Sequence, residues 1–152
     1  MYVKVVEILK DFFENVIKEF EIKQKDICQV HPLVLAYIGD SVYEVFIRTL
    51  VVCEGNATVN RLHRRSTGFV KAKAQCDIVH RIMNLLSPEE QDIVRRGRNA
   101  KSGTIPKNAD VTEYKYATGF ESLIGYLYLK KDYNRLIEIM KMSVEDCENH
   151  SH

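Results

Sequence analysis

The sequence has no tryptophan, few cysteines, and no long uninterrupted hydrophobic run. Asp40, Glu44 and Arg48 interrupt the most hydrophobic stretch. A membrane-spanning helix needs roughly 18 or more consecutive apolar residues. We therefore expect that this protein has no membrane partner.

The four cysteines are far apart, at Cys28, Cys53, Cys76 and Cys147. Their spacing matches no pattern of zinc ligands, and the sequence shows no secretory hydrophobic region with a cleavage site. We therefore expect a reduced protein in the cytoplasm.

Hydrophobic residues make up 45% of the 152 positions, which is enough for one core, whereas the chain is too short for two. We predict a single structural domain. Within it, residues 1–30 form an N-terminal helix and linker, and residues 31–148 form the main body.

Apolar residues recur at steps of three and four along most of the chain, which is the period of an amphipathic helix. The valine and isoleucine content of residues 32–53 leaves a strand open there, although the length favours a helix. The sequence has no Asn-Gly hairpin turn and no convincing alternating strand, so we predict an all-α fold. The predicted helices cover residues 3–20, 32–53, 69–86, 88–97, 110–130 and 133–147, with a short basic helix that begins after Thr58 or Asn60.

Two helix starts have strong local signals. Ser87 is a good N-cap and is followed by Pro88 at the first helical position and by early glutamates. Asp110 with Glu113 three residues later is typical of a capping box. The residues between these helices, 97–108, are rich in glycine, serine, asparagine and cations, and this composition predicts an exposed loop.

Positive charge is concentrated in the middle of the chain. The formal net charge is only +1, yet residues 61–107 contain 11 lysines and arginines against 4 acidic residues. This asymmetry predicts that an anionic partner binds the middle third.

Two acidic residues lie on helical stripes that are otherwise apolar. Asp40 follows Gly39, and Glu121 precedes Gly125 by one turn. Burying a carboxylate costs free energy unless it is paired, hydrogen-bonded or bound to a metal. If the two helices pack at their glycines, both acids could hold one Mg²⁺ ion. Each acid could instead pair with a basic residue or cap a helix, and the spacing alone does not decide between these interpretations.

The basic middle of the chain contains candidate contacts to nucleic acid. Few aromatic residues lie between the cations, which favours contacts to the backbone of a duplex over stacking on single-stranded bases. A solvated surface is the alternative interpretation, and neither His63 nor Glu44 is given a role. The candidate RNA-binding residues are Arg64, Arg65, Lys71, Lys73, Arg95, Arg96, Arg98, Asn99, Lys101, Ser102 and Lys107.

Three motifs in this order resemble the catalytic domain of the ribonuclease III family. They are LAYIGDSVYE, RRGRNAKSGTIPKN and FESLIGYLYL, and the first and last are about 80 positions apart. On a chain this short, without a separate double-stranded-RNA-binding domain, the arrangement is similar to the compact Mini-III branch. The resemblance covers residues 33–130 and makes residues 31–148 a ribonuclease III-like catalytic domain.

The resemblance implies an α-helical homodimer that hydrolyses phosphodiester bonds in double-stranded RNA with Mg²⁺, or with Mn²⁺ in its place. It implies a role in maturing the ends of precursor 23S ribosomal RNA, with a ribosomal protein as a further partner. Asp40 and Glu121 match family carboxylate positions, and the resemblance makes them catalytic metal ligands. Other family carboxylates are replaced by Leu33, Ala36 and Thr118.

The reduced number of acids leaves a different class of function open. Family members that lose carboxylates can retain the scaffold alone, so the chain could be a non-catalytic RNA-binding or ribosome-associated protein. The retained pair of acids and the basic loop favour the nuclease. A helical adaptor would explain the helices but neither the acids nor the charge asymmetry.

Overall fold

The computed structural model describes residues 2–20 and 26–145. This part of the chain forms helices, with two short 3-10 turns at Ile27–Gln29 and Met83–Leu85 and no strand. The all-α prediction is therefore confirmed, and the strand alternative for residues 32–53 is wrong. The α-helices are α1 (Tyr2–Glu19), α2 (Pro32–Cys53), α3 (Val59–Val70), α4 (Ala72–Ile82), α5 (Pro88–Asn99), α6 (Val111–Leu129) and α7 (Tyr133–Val144).

The helix starts follow the local sequence signals. Thr58, rather than Asn60, caps α3, and its side chain accepts the backbone N–H of Arg61. Ser87 and Glu90 form a full capping box at α5, in which each side chain accepts the backbone N–H of the other residue. At α6 the Asp110 carboxylate accepts the Glu113 N–H at 2.9 Å. These caps satisfy backbone donors that have no partner inside the helix.

Several predicted boundaries differ from the structure, among them the helix end predicted at residue 86, because α4 ends at Ile82 and a 3-10 turn follows it. The helix predicted for residues 69–86 is divided at Lys71, whose extended backbone (φ −64°, ψ 150°) ends α3 and precedes α4. The apolar period continues across this break, so periodicity could not reveal it. Helix α5 continues to Asn99, two residues beyond the predicted end at Gly97. Linker residues 21–25 and the predicted end of the last helix at 146–147 lie outside the described residues.

Helix α6 lies at the centre of the fold and packs against α2, α4 and α5. Its core side chains include Phe120, which is fully buried and contacts Tyr43 of α2 edge to face with ring centroids 5.0 Å apart. Helix α1 covers one side of this core through the buried Leu9 and through Phe13, whose ring meets Tyr128 at 4.9 Å. Among the described residues, no helix is long and apolar enough to cross a membrane.

Candidate active site

An open cleft of about 370 Å³ lies between α2, α6 and the loop that follows α5. It brings together the two predicted acids, Asp40 and Glu121, and the predicted loop residue Ser102. The remaining lining residues are mainly small or hydroxyl-bearing: Leu33, Ala36, Tyr37, Ser41, Gly103, Thr104, Tyr114 and Thr118.

Direct contact between the backbones of α2 and α6 sets the position of both acids. A Cβ atom added to Gly39 would lie 1.8 Å from the carbonyl oxygen of Glu121, and one added to Gly125 would lie 1.9 Å from the carbonyl oxygen of Leu35. No residue with a side chain fits at either position. Asp40 follows the first glycine directly, so the helix contact brings its carboxylate to the same cleft as that of Glu121.

Burial and neighbouring negative charge make both acids difficult to ionise. Burial first, and then the neighbouring Asp40 charge, raise the pKa of Glu121 to about 8, while the nearby Gln75 amide acts in the opposite direction. Burial and then Glu44 raise the pKa of Asp40. No lysine or arginine lines the described part of the cleft. The pair therefore lacks a neutralising cation of its own.

The contacts of the two acids do not support the alternative in which each acid pairs with a basic residue or caps a helix. Neither acid forms an ion pair with any cation in residues 2–20 or 26–145, and both lie inside helices rather than at N-caps. By contrast, Glu44, one turn after Asp40, accepts a hydrogen bond from the Arg48 Nε at 2.6 Å. Glu44 is therefore paired with Arg48 on the surface of α2.

The donor set of the cleft fits a hard divalent cation. Carboxylates and hydroxyl oxygens are the ligands that Mg²⁺ prefers, and it usually binds through one or two carboxylates plus water and substrate oxygens. A cation between Asp40 and Glu121 would also offset their repulsion. Within the described residues, no group of three or more His, Cys, Asp or Glu side chains is arranged so that it could hold a metal ion. Leu33, Ala36 and Thr118 line this same cleft and leave it with two acids.

The candidate RNA-binding residues divide into two groups by their contacts. Several already have protein partners: Arg65 pairs with Glu54, Lys73 with Asp77, Arg95 with Gln91, and Arg98 with Tyr116 and Asn99. The other candidate cations have no ion pair or hydrogen bond in the described part of the chain, and they are exposed or half-exposed: Arg64, Lys71, Arg96, Lys101 and Lys107. This second group is available to bind an anion.

Sequence reasoning missed Gln75 of α4, which lies next to Glu121. Gln75 is fully buried, and its amide atoms have no hydrogen-bond partner of standard geometry. The sequence does contain a signal for it, because Gln75 is a polar residue one helical turn before the core residue Val79.

Comparison with known proteins places this arrangement in a family. A family model of the ribonuclease III domain matches residues 33–132, which include both acids and the basic loop. The chain belongs to the ribonuclease III family. The prediction of this family is thereby confirmed.

Relatives within the ribonuclease III family are similar over most of their length. Mini-ribonuclease 3 of Thermoanaerobacter sp. (strain X514) is 53% identical over 125 residues, which cover 82% of this chain and 88% of that protein. Mini-ribonuclease 3 of Clostridium tetani is 48% identical over 132 residues, or 86% and 87% of the two chains. These relatives confirm the predicted similarity to the compact branch.

A crystal structure of a protein from Fusobacterium nucleatum has the same fold. It aligns with a TM-score of 0.72 and 33% identity and covers 80% of this chain and 98% of that one. The fold of this chain therefore has an experimental counterpart.

Proposed function

We propose that the protein is an endoribonuclease that hydrolyses phosphodiester bonds in double-stranded RNA, with Asp40 and Glu121 holding Mg²⁺ or Mn²⁺. The observation that supports this most directly is the glycine contact between α2 and α6, which sets two acids without a cation partner in one cleft. Family membership supports the same reaction class.

Each part of the cleft has a role in this reaction. A divalent ion bound there would supply a water of lowered pKa and positive charge near the phosphate. Asp40 and Glu121 would hold it, and Glu121 would have to lose its proton to do so because its pKa is raised. Ser102 and Thr104 line the cleft from the loop. Their hydroxyls can donate hydrogen bonds to phosphate oxygens.

Duplex RNA is the substrate class that suits the surroundings of the cleft. The unpaired cations, Arg64, Lys71, Arg96, Lys101 and Lys107, can neutralise backbone phosphates. The paired candidates Arg65, Lys73, Arg95 and Arg98, together with Asn99, are proposed to contribute at the edge of the same surface. A duplex is recognised mainly through its shape and its phosphate and ribose groups, and this does not require stacking aromatics.

A homodimer would place one cleft against each strand of the duplex. Apolar side chains on the outer face of α2 support such an interface, since Val34 is 54% exposed and Tyr37 is 80% exposed beside the cleft. Sedimentation velocity tests it: the unmodified protein should sediment as a dimer and Val34→Glu as a monomer. Sedimentation of the unmodified protein as a monomer at micromolar concentration would contradict the dimer.

The natural substrate proposed here is precursor 23S ribosomal RNA, whose ends the enzyme would mature in the cytoplasm with a ribosomal protein as accessory partner. The resemblance of the three motifs to Mini-III ribonucleases supports this choice. Maturation of precursor 23S RNA in cells that lack the protein, complemented by the unmodified chain or by Asp40→Asn, tests it. Mature ends in cells that contain only Asp40→Asn would contradict it.

A non-catalytic RNA-binding protein is the second candidate, and the apolar or neutral residues Leu33, Ala36 and Thr118 in the cleft favour it. Incubation with an internally paired RNA, with and without Mg²⁺, distinguishes the two when binding is measured separately. We expect the unmodified protein to cut only with Mg²⁺. Asp40→Asn should bind RNA but cut about 1,000-fold more slowly.

Asp92→Asn is the matched control for this experiment, because Asp92 is an exposed acid on α5. It should cut at the unmodified rate. Equal rates for Asp40→Asn and the unmodified protein would remove the site assignment, and binding without cleavage by the unmodified protein would establish the scaffold.

A further inference from the structure

We propose that Gln75 is a positioning residue for the active site and that its buried side-chain amide orients the carboxylate of Glu121 toward Asp40. This inference rests on the proposed function, since it concerns the residues proposed to hold the metal ion. Gln75 itself lies on α4 and does not line the cleft.

The burial of Gln75 without a partner needs an explanation. Its side chain is 0% exposed, and neither Oε1 nor Nε2 has a hydrogen-bond partner of standard geometry. Buried polar groups in folded proteins are paired with few exceptions. An unpaired buried amide between α4 and α6 therefore indicates a partner that it reaches when the site is in use.

Glu121 is the partner that the surroundings of Gln75 provide. The amide lies next to the Glu121 carboxyl group, although its atoms do not meet the distance and angle of a regular hydrogen bond. Helices α4 and α6 pack directly against each other. Glu121 lines the cleft, whereas Gln75 is fully buried and does not line it.

The chemistry of a carboxamide suits this position. An ionised carboxylate only accepts hydrogen bonds, so Nε2 of Gln75 would donate to one oxygen of Glu121. The second oxygen of Glu121 is then left to face the cleft and Asp40. Side chains that orient metal ligands in this way typically change metal affinity by about 10- to 100-fold when they are removed.

The test uses Gln75→Met, which keeps the length of the side chain and removes its hydrogen bonds. We expect Mn²⁺ binding to the RNA-free protein, followed by calorimetry, to weaken about tenfold. With saturating duplex RNA and limiting metal, kcat should fall by a similar factor while KM for RNA stays unchanged. The metal-free unfolding temperature should stay the same or rise, because a buried amide without a partner is removed.

Gln91→Met is the matched control, because Gln91 is a half-buried glutamine that donates hydrogen bonds to the carbonyl oxygens of Met83 and Leu86. It should lower the unfolding temperature and leave Mn²⁺ affinity unchanged. Gln75→Asn, which keeps the amide on a shorter side chain, should bind Mn²⁺ with an affinity between those of Gln75→Met and the unmodified protein.

Mn²⁺ affinity of both Gln75 variants within twofold of the unmodified value would overturn the proposal. The proposal would also be overturned if Gln91→Met lost as much Mn²⁺ affinity as the Gln75 variants. Because the binding measurement contains no RNA, it decides the role of Gln75 even if the unmodified protein cuts no duplex. Failure to cut RNA would instead overturn the proposed function.

Discussion

Two regions of the molecule differ in how their side chains are held. One is the contact between α2 and α6, which carries the two acids, and the other is the basic surface around residues 95–107. At the first, Gly39 and Gly125 bring two helix backbones into contact and so fix where Asp40 and Glu121 lie. At the second, cations such as Lys101 and Lys107 are exposed and have no protein partner in the described residues.

This difference corresponds to the demands of the two tasks. Holding a metal ion requires side chains fixed to within a fraction of an ångström, which rigid helices provide. Neutralising phosphates along a duplex requires positive charge but tolerates variation in side-chain geometry. We therefore expect substitutions at the helix contact to affect folding and chemistry and substitutions on the basic surface to affect RNA affinity.

The largest effect is expected for Gly39→Ala. Its Cβ would lie 1.8 Å from the Glu121 carbonyl oxygen, so the helices must separate, at a cost of about 3 kcal/mol or more in free energy of unfolding. Urea denaturation measures this. In Gly68→Ala the added Cβ meets open space within α3, so this control should be more stable by about 0.5–1 kcal/mol. Equal free energies of unfolding for the two variants would show that the close contact between α2 and α6 is not needed for the stability of the fold.

A smaller effect is expected for Glu121→Gln, and its sign depends on pH. The pKa of Glu121 is about 8 in the folded state, against an ordinary value of 4.5, so the folded state binds this proton more tightly. The contribution of Glu121 to stability is therefore greatest at low pH and falls as the pH rises from about 4.5 to about 8. Without metal, the Gln variant should exceed the unmodified protein by about 1–3 kcal/mol at pH 8 and match it near pH 5.

Chemical denaturation at both pH values checks this prediction, with Glu7→Gln on the exposed side of α1 as control. The control should show no difference at either pH. A stability gain in Glu121→Gln that is the same at pH 5 and pH 8 would mean that Glu121 ionises normally. In that case the acids do not repel each other in the folded protein.

The smallest effects are expected on the basic surface. Arg96→Ala and Lys101→Ala should each weaken duplex RNA binding about three- to tenfold and reduce the slope of log affinity against log salt by about 1. The rate at saturating RNA should stay unchanged. Lys73→Ala should have less effect, because its ammonium group already lies 3.1 Å from the Asp77 carboxylate. Unaltered salt slopes for Arg96→Ala and Lys101→Ala would mean that the basic surface does not contact phosphates.

The parts of the molecule that could be predicted from sequence depend on local signals. The helical period predicts α2 and α6, and the N-caps predict where helices begin, at Ser87 for α5 and at Asp110 for α6. Both signals act within a few residues. The meeting of Asp40 and Glu121 could be predicted because each acid interrupts an apolar stripe beside a glycine.

The remaining features depend on contacts between distant segments. Arg98 belongs by composition to the exposed loop, yet its guanidinium donates a hydrogen bond to the Tyr116 hydroxyl at 3.2 Å, 18 residues away. The burial of Gln75 depends on how α4 packs against α6. The single extended residue at Lys71 ends one helix without any change in hydrophobic period.

A double-variant cycle tests most directly whether Asp40 and Glu121 act as one site. Single-turnover cleavage of duplex RNA with Mg²⁺ would be measured for the unmodified protein, Asp40→Asn, Glu121→Gln and the variant with both changes. Residues that act as a unit show losses that do not multiply. We predict that the double variant cleaves no more slowly than the slower single variant, whereas a loss equal to the product of the two single losses would contradict a shared metal site.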